Sequence, residues 1–182
     1  MVNYMKKLLI SMFCASLTCG TLAFAAWDAD EGAEYHEKAQ VALAEFLEDV
    51  PDAQDFIDKS AGYVVIPTVG KGGLGIGGAR GKGVLYEGGA VTAVITLTQL
   101  SIGFQWGGQA YSEFVFFEDN TTLQNFKKGN FELNAQASAV AVTAGASADA
   151  AFNDGMAIFT RAKGGLMYEA AVGGQKFKVE AK

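Results

Sequence analysis

The chain has 182 residues with 14 basic and 20 acidic side chains, a formal net charge of −6, one histidine and two cysteines. That balance repels nucleic acid over long range, so no nucleic-acid partner is expected and any anion site must be local. Zinc sites of the usual kind need several His or Cys ligands, and with one histidine the chain is expected to hold no metal and no cofactor.

Residues 1–25 have the order of a cleavable secretory signal peptide. Lys6 and Lys7 precede an apolar run from Leu8 through Leu17, and Ala23-Phe24-Ala25 closes it with small residues flanking the cleavage position. The run is shorter than the about 20 apolar residues a spanning helix needs. Cys19 follows Ser16-Leu17-Thr18, with leucine in the wrong place and threonine where a lipid-modification signal wants Gly or Ala, so no lipid anchor is expected. Cleavage after Ala25 removes Cys14 and Cys19 and leaves 12 basic against 20 acidic residues, a net −8. The expectation is an exported, periplasmic, thiol-free domain over residues 26–182, long enough to bury roughly two thirds of its surface.

From Trp27 to Val50 the apolar residues Tyr35, Ala39, Ala42, Leu43, Phe46, Leu47 and Val50 recur at the spacing of one helix face. Asp28, Asp30 and Glu31 sit where carboxylates favour a helix start, and Pro51 ends the helix. The other face carries Glu34, Glu37, Glu45 and Glu48 with only Lys38 to balance them. Its acidity is the wrong sign for a helix lying on an anionic membrane, so burial against a sheet is expected. Asp52 to Ser60 reads as a second, short helix.

At Gly62 the chain turns to strands. Tyr63 to Ile66 is a short run before Pro67, the glycine-dense stretch Gly70 to Gly83 follows, and then come Val84–Tyr86, Ala90–Leu97, Ser101–Trp106 and Phe114–Phe117. Thr121 to Lys128 reads as a helical interruption with Leu123 and Phe126 inward. Strands resume at Phe131–Thr143, Met156–Arg161, Leu166–Val172 and Lys176–Val179. Glycines inside strands mark bulges, bends or close backbone approach. The reading is α+β: an N-terminal amphipathic helix packed on a strongly curved, mainly antiparallel β-sheet or small barrel.

Enzymatic motifs are weak. His36 lies on the charged side of the first helix and reads as a surface residue, far from any triad geometry. Gly73-Leu74-Gly75-Ile76-Gly77-Gly78 matches the dinucleotide spacing, but Ala79-Arg80-Gly81-Lys82-Gly83 continues it with no helix to hold a pyrophosphate. Position 76 is Ile, so Gly81-Lys82 is not a P-loop. Glu87, Glu113, Glu118 and Asp119 leave a carboxylate-dependent hydrolase as a rival reading, and the glycine-rich alternation permits a small outer-membrane barrel. The one cationic cluster, Lys71, Arg80 and Lys82, flanks glycines whose N–H groups can approach an anion closely.

Several of these segments together resemble the SYLF domain, also called the Ysc84 family. They are Gly62-Tyr63-Val64-Val65-Ile66-Pro67, the glycine stretch through Gly83-Val84-Leu85, Ser101 to Gln109 leading into Phe114 to Phe117, Phe126 to Gly129, and Gly165 through Phe177. The resemblance runs from about Ala39 to Lys182. It implies a phospholipid-binding module with no established enzymatic activity, whose eukaryotic members bind phosphoinositides and actin filaments. Those members use a basic amphipathic segment on membranes, where this chain has an acidic helix, and export would separate this chain from actin. The expected function is therefore non-enzymatic phospholipid binding in the periplasm or at a membrane surface. Lys71, Arg80 and Lys82 are the expected headgroup ligands, and Tyr63, Phe104, Trp106 and Tyr111 are candidates for an apolar lining.

Overall fold

The computed structural model describes residues 29–74, 76–102, 108–129, 131–134, 137–142, 152–164 and 170–182. Residues 1–25, expected to be a signal peptide, lie outside them. Helix α1 spans Ala29–Asp49 and ends, as expected, ahead of Pro51, where a single 3-10 turn, Pro51–Ala53, runs into α2, Gln54–Lys59. Ala39, Ala42, Phe46 and Val50 are buried at spacings of three and four, the period that brings one helix face to a sheet.

The strands are β1 (Gly62–Leu74), β2 (Ile76–Glu87), β3 (Ala90–Ile102), β4 (Gln109–Phe117), β5 (Phe131–Glu132), β6 (Ser138–Val142), β7 (Met156–Ala162), β8 (Ala170–Ala171) and β9 (Lys176–Ala181), with α3 (Asn120–Lys127) between β4 and β5. They form one sheet in the order β5-β9-β3-β2-β1-β4-β7-β6-β8. It is antiparallel except where β6 runs parallel to β7, and it curls strongly into a half-barrel. The β2–β3 hairpin turns on Gly88 and Gly89, both at positive φ, a conformation that glycine adopts without a Cβ penalty.

Several strands differ from the sequence expectation. β1 does not stop at Pro67 but runs on to Leu74, because the register slips between Val65 and Thr68 against β2 and between Ile66 and Val69 against β4. The bulge takes proline out of the ladder, so its missing N–H costs no pairing. Its carbonyl accepts the Ser112 hydroxyl at 3.0 Å. Ala90–Leu97 and the start of Ser101–Trp106 merge into β3. The expected strand Phe131–Thr143 is described as two short ones, and of Leu166–Val172 only Ala170 and Ala171 lie in a described strand.

Two cores sit on the two faces of the sheet. On the helix face, Phe46 stacks on Phe114 with ring centroids 4.2 Å apart and meets Phe159 at 5.4 Å, while Phe56 of α2 meets Phe159 edge-on at 5.1 Å. On the opposite face Phe126 of α3 packs 4.8 Å from Phe117 and 5.4 Å from Phe177, with Leu123 buried beside them. Asp119 caps α3 by accepting the Thr122 N–H at 2.8 Å.

The acidic face of α1 is balanced partly on the helix itself, where Lys38 pairs with Glu34, and partly on the sheet. Arg161 of β7 donates to Glu45 at 2.7 Å and to Asp49 at 2.5 Å, and Lys82 of β2 pairs with Glu31 at the other end of the helix. Arg161→Ala should lower the unfolding free energy by about 1–2 kcal/mol, since it removes two charge-assisted bonds from a partly buried side chain. A urea midpoint that does not move would show that the clamp contributes nothing.

Candidate functional site

The β1–β2 register splits the basic cluster. Gly70 pairs with Arg80 and Thr68 with Lys82, which sets these residues on the face that carries α1. Lys71 pairs with Ala79, a member of the opposite core, so Lys71 belongs to the other face. Arg80 and Lys82 are brought together; Lys71 is not.

Of the two, Lys82 is engaged. It is half-buried, ion-paired with Glu31, and its Nζ stands 5.9 Å from the centre of the Tyr35 ring. The hydrogen bond to Glu31 raises its pKa, against the opposing effect of burial. Arg80 is exposed, and the glycine opposite it leaves open space, since a Cβ at Gly70 would meet nothing within 4 Å. Lys163, one residue past β7, donates to the Thr68 hydroxyl at 3.0 Å across 95 residues of sequence, and Thr68 lines a groove with Arg80. Lys163 was not legible as a site residue: nothing in Arg161-Ala162-Lys163-Gly164 marks it, and only the β1–β4–β7 order carries it to Thr68.

Arg80 stands between two open grooves. One, of about 440 Å³, lies over Pro67, Thr68 and Gly81 with Tyr35, Lys38 and Lys82 around it. The other, of about 690 Å³, runs past Gly70, Gly78, Thr98 and Leu100 to Lys176. A planar guanidinium with an ammonium close by suits a phosphate, which the arginine can hold with two parallel hydrogen bonds.

The apolar candidates do not share a surface. Tyr63 is half-buried on the helix face, stacked 4.9 Å from Tyr86. Tyr111 is buried on the opposite face, beside Glu113. Phe104 and Trp106 lie outside the described residues. Sequence reasoning reads aromatic strand residues without knowing which face each takes, and the bulge at Pro67 hides that alternation.

His36 is also not the surface residue expected. It is half-buried, with Nδ1 3.0 Å from the Tyr86 hydroxyl, whose pKa burial and the neighbouring Tyr63 push up to about 12. Three of the four carboxylates considered for hydrolysis, Glu87, Glu113 and Asp119, have structural partners. Glu87 binds Lys127 and Thr92, and Asp119 caps α3. Glu113 is fully buried and accepts from Gln175 at 2.9 Å; burial raises its pKa to about 8, with the Gln175 bond pulling the other way. Burial, and then the Glu113 charge, also raise the Tyr111 hydroxyl. Among the described residues, no three His, Cys, Asp or Glu side chains gather as a metal site, and no helix is long and apolar enough to cross a membrane.

A helix strapped across one face of a curled sheet, with the exposed Arg80 beside it, defines an α+β domain. Residues 98–182 match the Ysc84 family model, described as Las17-binding protein actin regulator, and carry the SYLF resemblance read from the sequence. The matched part holds Ser101 to Gln109 and the closing segments, while Gly62 to Gly83 precedes it. The chain is also similar to Beta cell expansion factor A of Aeromonas veronii, 28% identical over 145 residues, which are 78% of this chain and 54% of that protein. The chain thus spans about half the length of this curated relative. At the family level these likenesses suggest lipid binding or an actin-related role.

Proposed function

We propose that this chain is a non-enzymatic phospholipid-binding module, exported by residues 1–25 and acting at a membrane surface of the periplasm. The observation that carries the reading is the exposed Arg80 in a groove over Thr68 and Lys82 that Tyr35 and Lys38 of α1 border, with Lys163 bonded to the same threonine. Arg80 and Lys163 hold the headgroup phosphate. Lys82 positions the helix through Glu31 and contributes field rather than a direct bond. Lys71, on the other face, takes no part in that contact. Family likeness supports lipid over other anions, and the acidic remainder of the surface confines binding to this groove.

Co-sedimentation with vesicles tests it. The wild-type chain should bind vesicles containing phosphatidylglycerol and ignore pure phosphatidylcholine. Arg80→Ala combined with Lys163→Ala should weaken that binding roughly 10- to 30-fold, from about 1 kcal/mol for each basic residue at an anionic surface. Lys71→Ala should leave it unchanged. A double variant that sediments like wild type would overturn the headgroup assignment, and a wild-type chain that binds no phospholipid would sink the reading as a whole.

A further inference from the structure

A trench runs between α1 and the bulge of β1. The groove of about 440 Å³ beside Arg80 adjoins another of about 480 Å³ along the helix, and Lys38, Pro67 and Thr68 line both. Arg80 lines only the first part. The carboxylates Glu34, Glu37 and Glu45 line only the second, together with Lys163 and with Val41, which is 57% exposed. The trench is therefore cationic in one part, acidic in the other, and apolar where Val41 and Pro67 wall it.

Most of its charges are already matched. Lys82 pairs with Glu31, Lys38 with Glu34 at 2.5 Å, and Glu45 with Arg161 at 2.7 Å. Arg80 and Glu37 are the exceptions: both are exposed, and neither forms a hydrogen bond or an ion pair among the described residues. Lys163 has only the neutral Thr68 hydroxyl as its partner, and Thr68 belongs to both parts of the trench. The larger groove on the other side of Arg80 lacks this arrangement. There Gly70, Arg80, Thr98 and Lys176 are successive partners across β1, β2, β3 and β9, but Lys176 already pairs with Glu132 at 3.4 Å. That row offers an open cation and no open anion, whereas the trench offers one of each.

Resting on the phospholipid reading above, we infer that the trench takes a zwitterionic headgroup, a phosphate joined by a short linker to a primary ammonium, as in phosphatidylethanolamine. Arg80 and Lys163 hold the phosphate, and Glu37 accepts hydrogen bonds from the ammonium. A primary ammonium offers three N–H donors to a carboxylate, while the trimethylated ammonium of phosphatidylcholine offers none and is bulkier. Phosphatidylglycerol supplies the phosphate contact and leaves Glu37 unmatched. The acidic side of α1 then meets ammonium groups in the headgroup layer and not phosphates alone, which removes the repulsion that an all-anionic surface would exert on it.

Vesicle co-sedimentation of the full chain, at a fixed fraction of phosphatidylglycerol, tests this. Exchanging the remaining phosphatidylcholine for phosphatidylethanolamine should tighten binding roughly three- to fivefold, the effect of one exposed ion pair. Glu37→Gln should remove that gain. Glu48→Gln, which neutralises an exposed carboxylate of the same helix that lines neither groove, should keep it. On the choline mixture the two variants should bind alike. Ethanolamine lipids also change bilayer packing, so a gain that survives Glu37→Gln, or that Glu48→Gln loses equally, overturns the inference. No gain in wild type overturns it as well, and the headgroup reading survives if binding still depends on Arg80 and Lys163. If wild type binds no vesicle of either mixture, both readings fall.

Discussion

Replacing Glu113 by glutamine should stabilise the protein at pH 8 by on the order of 5 kcal/mol and should flatten the dependence of stability on pH between about 4.5 and 8. Glu113 sits on β4 facing the core opposite α1, with no exposed surface, and burial pushes its carboxyl from 4.5 up to about 8. The folded chain therefore keeps a proton that the unfolded chain gives up. Below about pH 4.5 both states hold it and the site costs nothing electrostatically. As pH rises toward 8 the unfolded state is increasingly favoured, and above 8 both are ionised and the loss levels off. Glutamine keeps the shape and accepts the same Gln175 hydrogen bond without ever becoming charged. Urea unfolding of wild type and variant at pH 5, 6.5 and 8 reads the effect directly; parallel slopes would show that another group is responsible.

The surroundings of Glu113 favour the protonated acid. Its Oε1, the hydroxyl oxygen of its register partner Thr160, and Gln175 Oε1 are buried without hydrogen-bond partners. A neutral carboxyl brings an O–H donor into a cluster rich in unmatched acceptors, whereas a carboxylate brings only another acceptor. The same preference explains why this residue makes a poor member of a catalytic carboxylate pair. Its nearest polar company is an amide, a phenol and a hydroxyl, with no water-exposed path on its side chain.

What the sequence revealed followed the range of its signals. Helix α1 was legible because Ala39, Ala42, Phe46 and Val50 repeat at a period that needs no partner to be seen, and α3 because Leu123 and Phe126 do the same within eight residues. The length of β1 was not, since proline ordinarily ends a strand and only the register against β2 and β4 shows the bulge that accommodates it. Nor could the chain declare that β9 returns to lie beside β3. That pairing sets Lys176 in the row with Arg80.

The candidate site was legible in kind and not in membership. Arg80 stands out in the sequence because it is a cation among glycines, and the structure leaves it open. Lys82 looks equivalent in the sequence, yet Glu31, 51 residues earlier, occupies it. Lys71 is three residues past the bulge, and that single extra residue decides which face it takes. Local composition finds a cluster; strand alternation and long-range ion pairs decide which of its members face the same solvent.

The bulge also explains the most severe substitution expected in this chain. Gly83→Ala should abolish the folded state, because the added Cβ would lie 2.1 Å from the Val65 carbonyl oxygen and 2.7 Å from the Ile66 Cα. Real Cβ atoms do not approach backbone so closely, and here no flexible side chain can move away; β1 itself would have to shift. Gly83 faces the point where two residues of β1 oppose one of β2, so the glycine makes the room that the bulge needs. Moving β1 would take Val65 and Val64 out of the cores on either face and would undo the register that turns Thr68 toward Arg80. The expected result is loss of the cooperative urea transition, or a midpoint lowered by more than about 4 kcal/mol of stability. Gly88→Ala is the comparison: its Cβ meets nothing within 4 Å, so its cost is confined to the positive φ and should stay near 1–2 kcal/mol. A Gly83→Ala variant as stable as Gly88→Ala would mean that β1 and β2 do not meet at this bulge, and the placement of Thr68 beside Arg80 would fall with it.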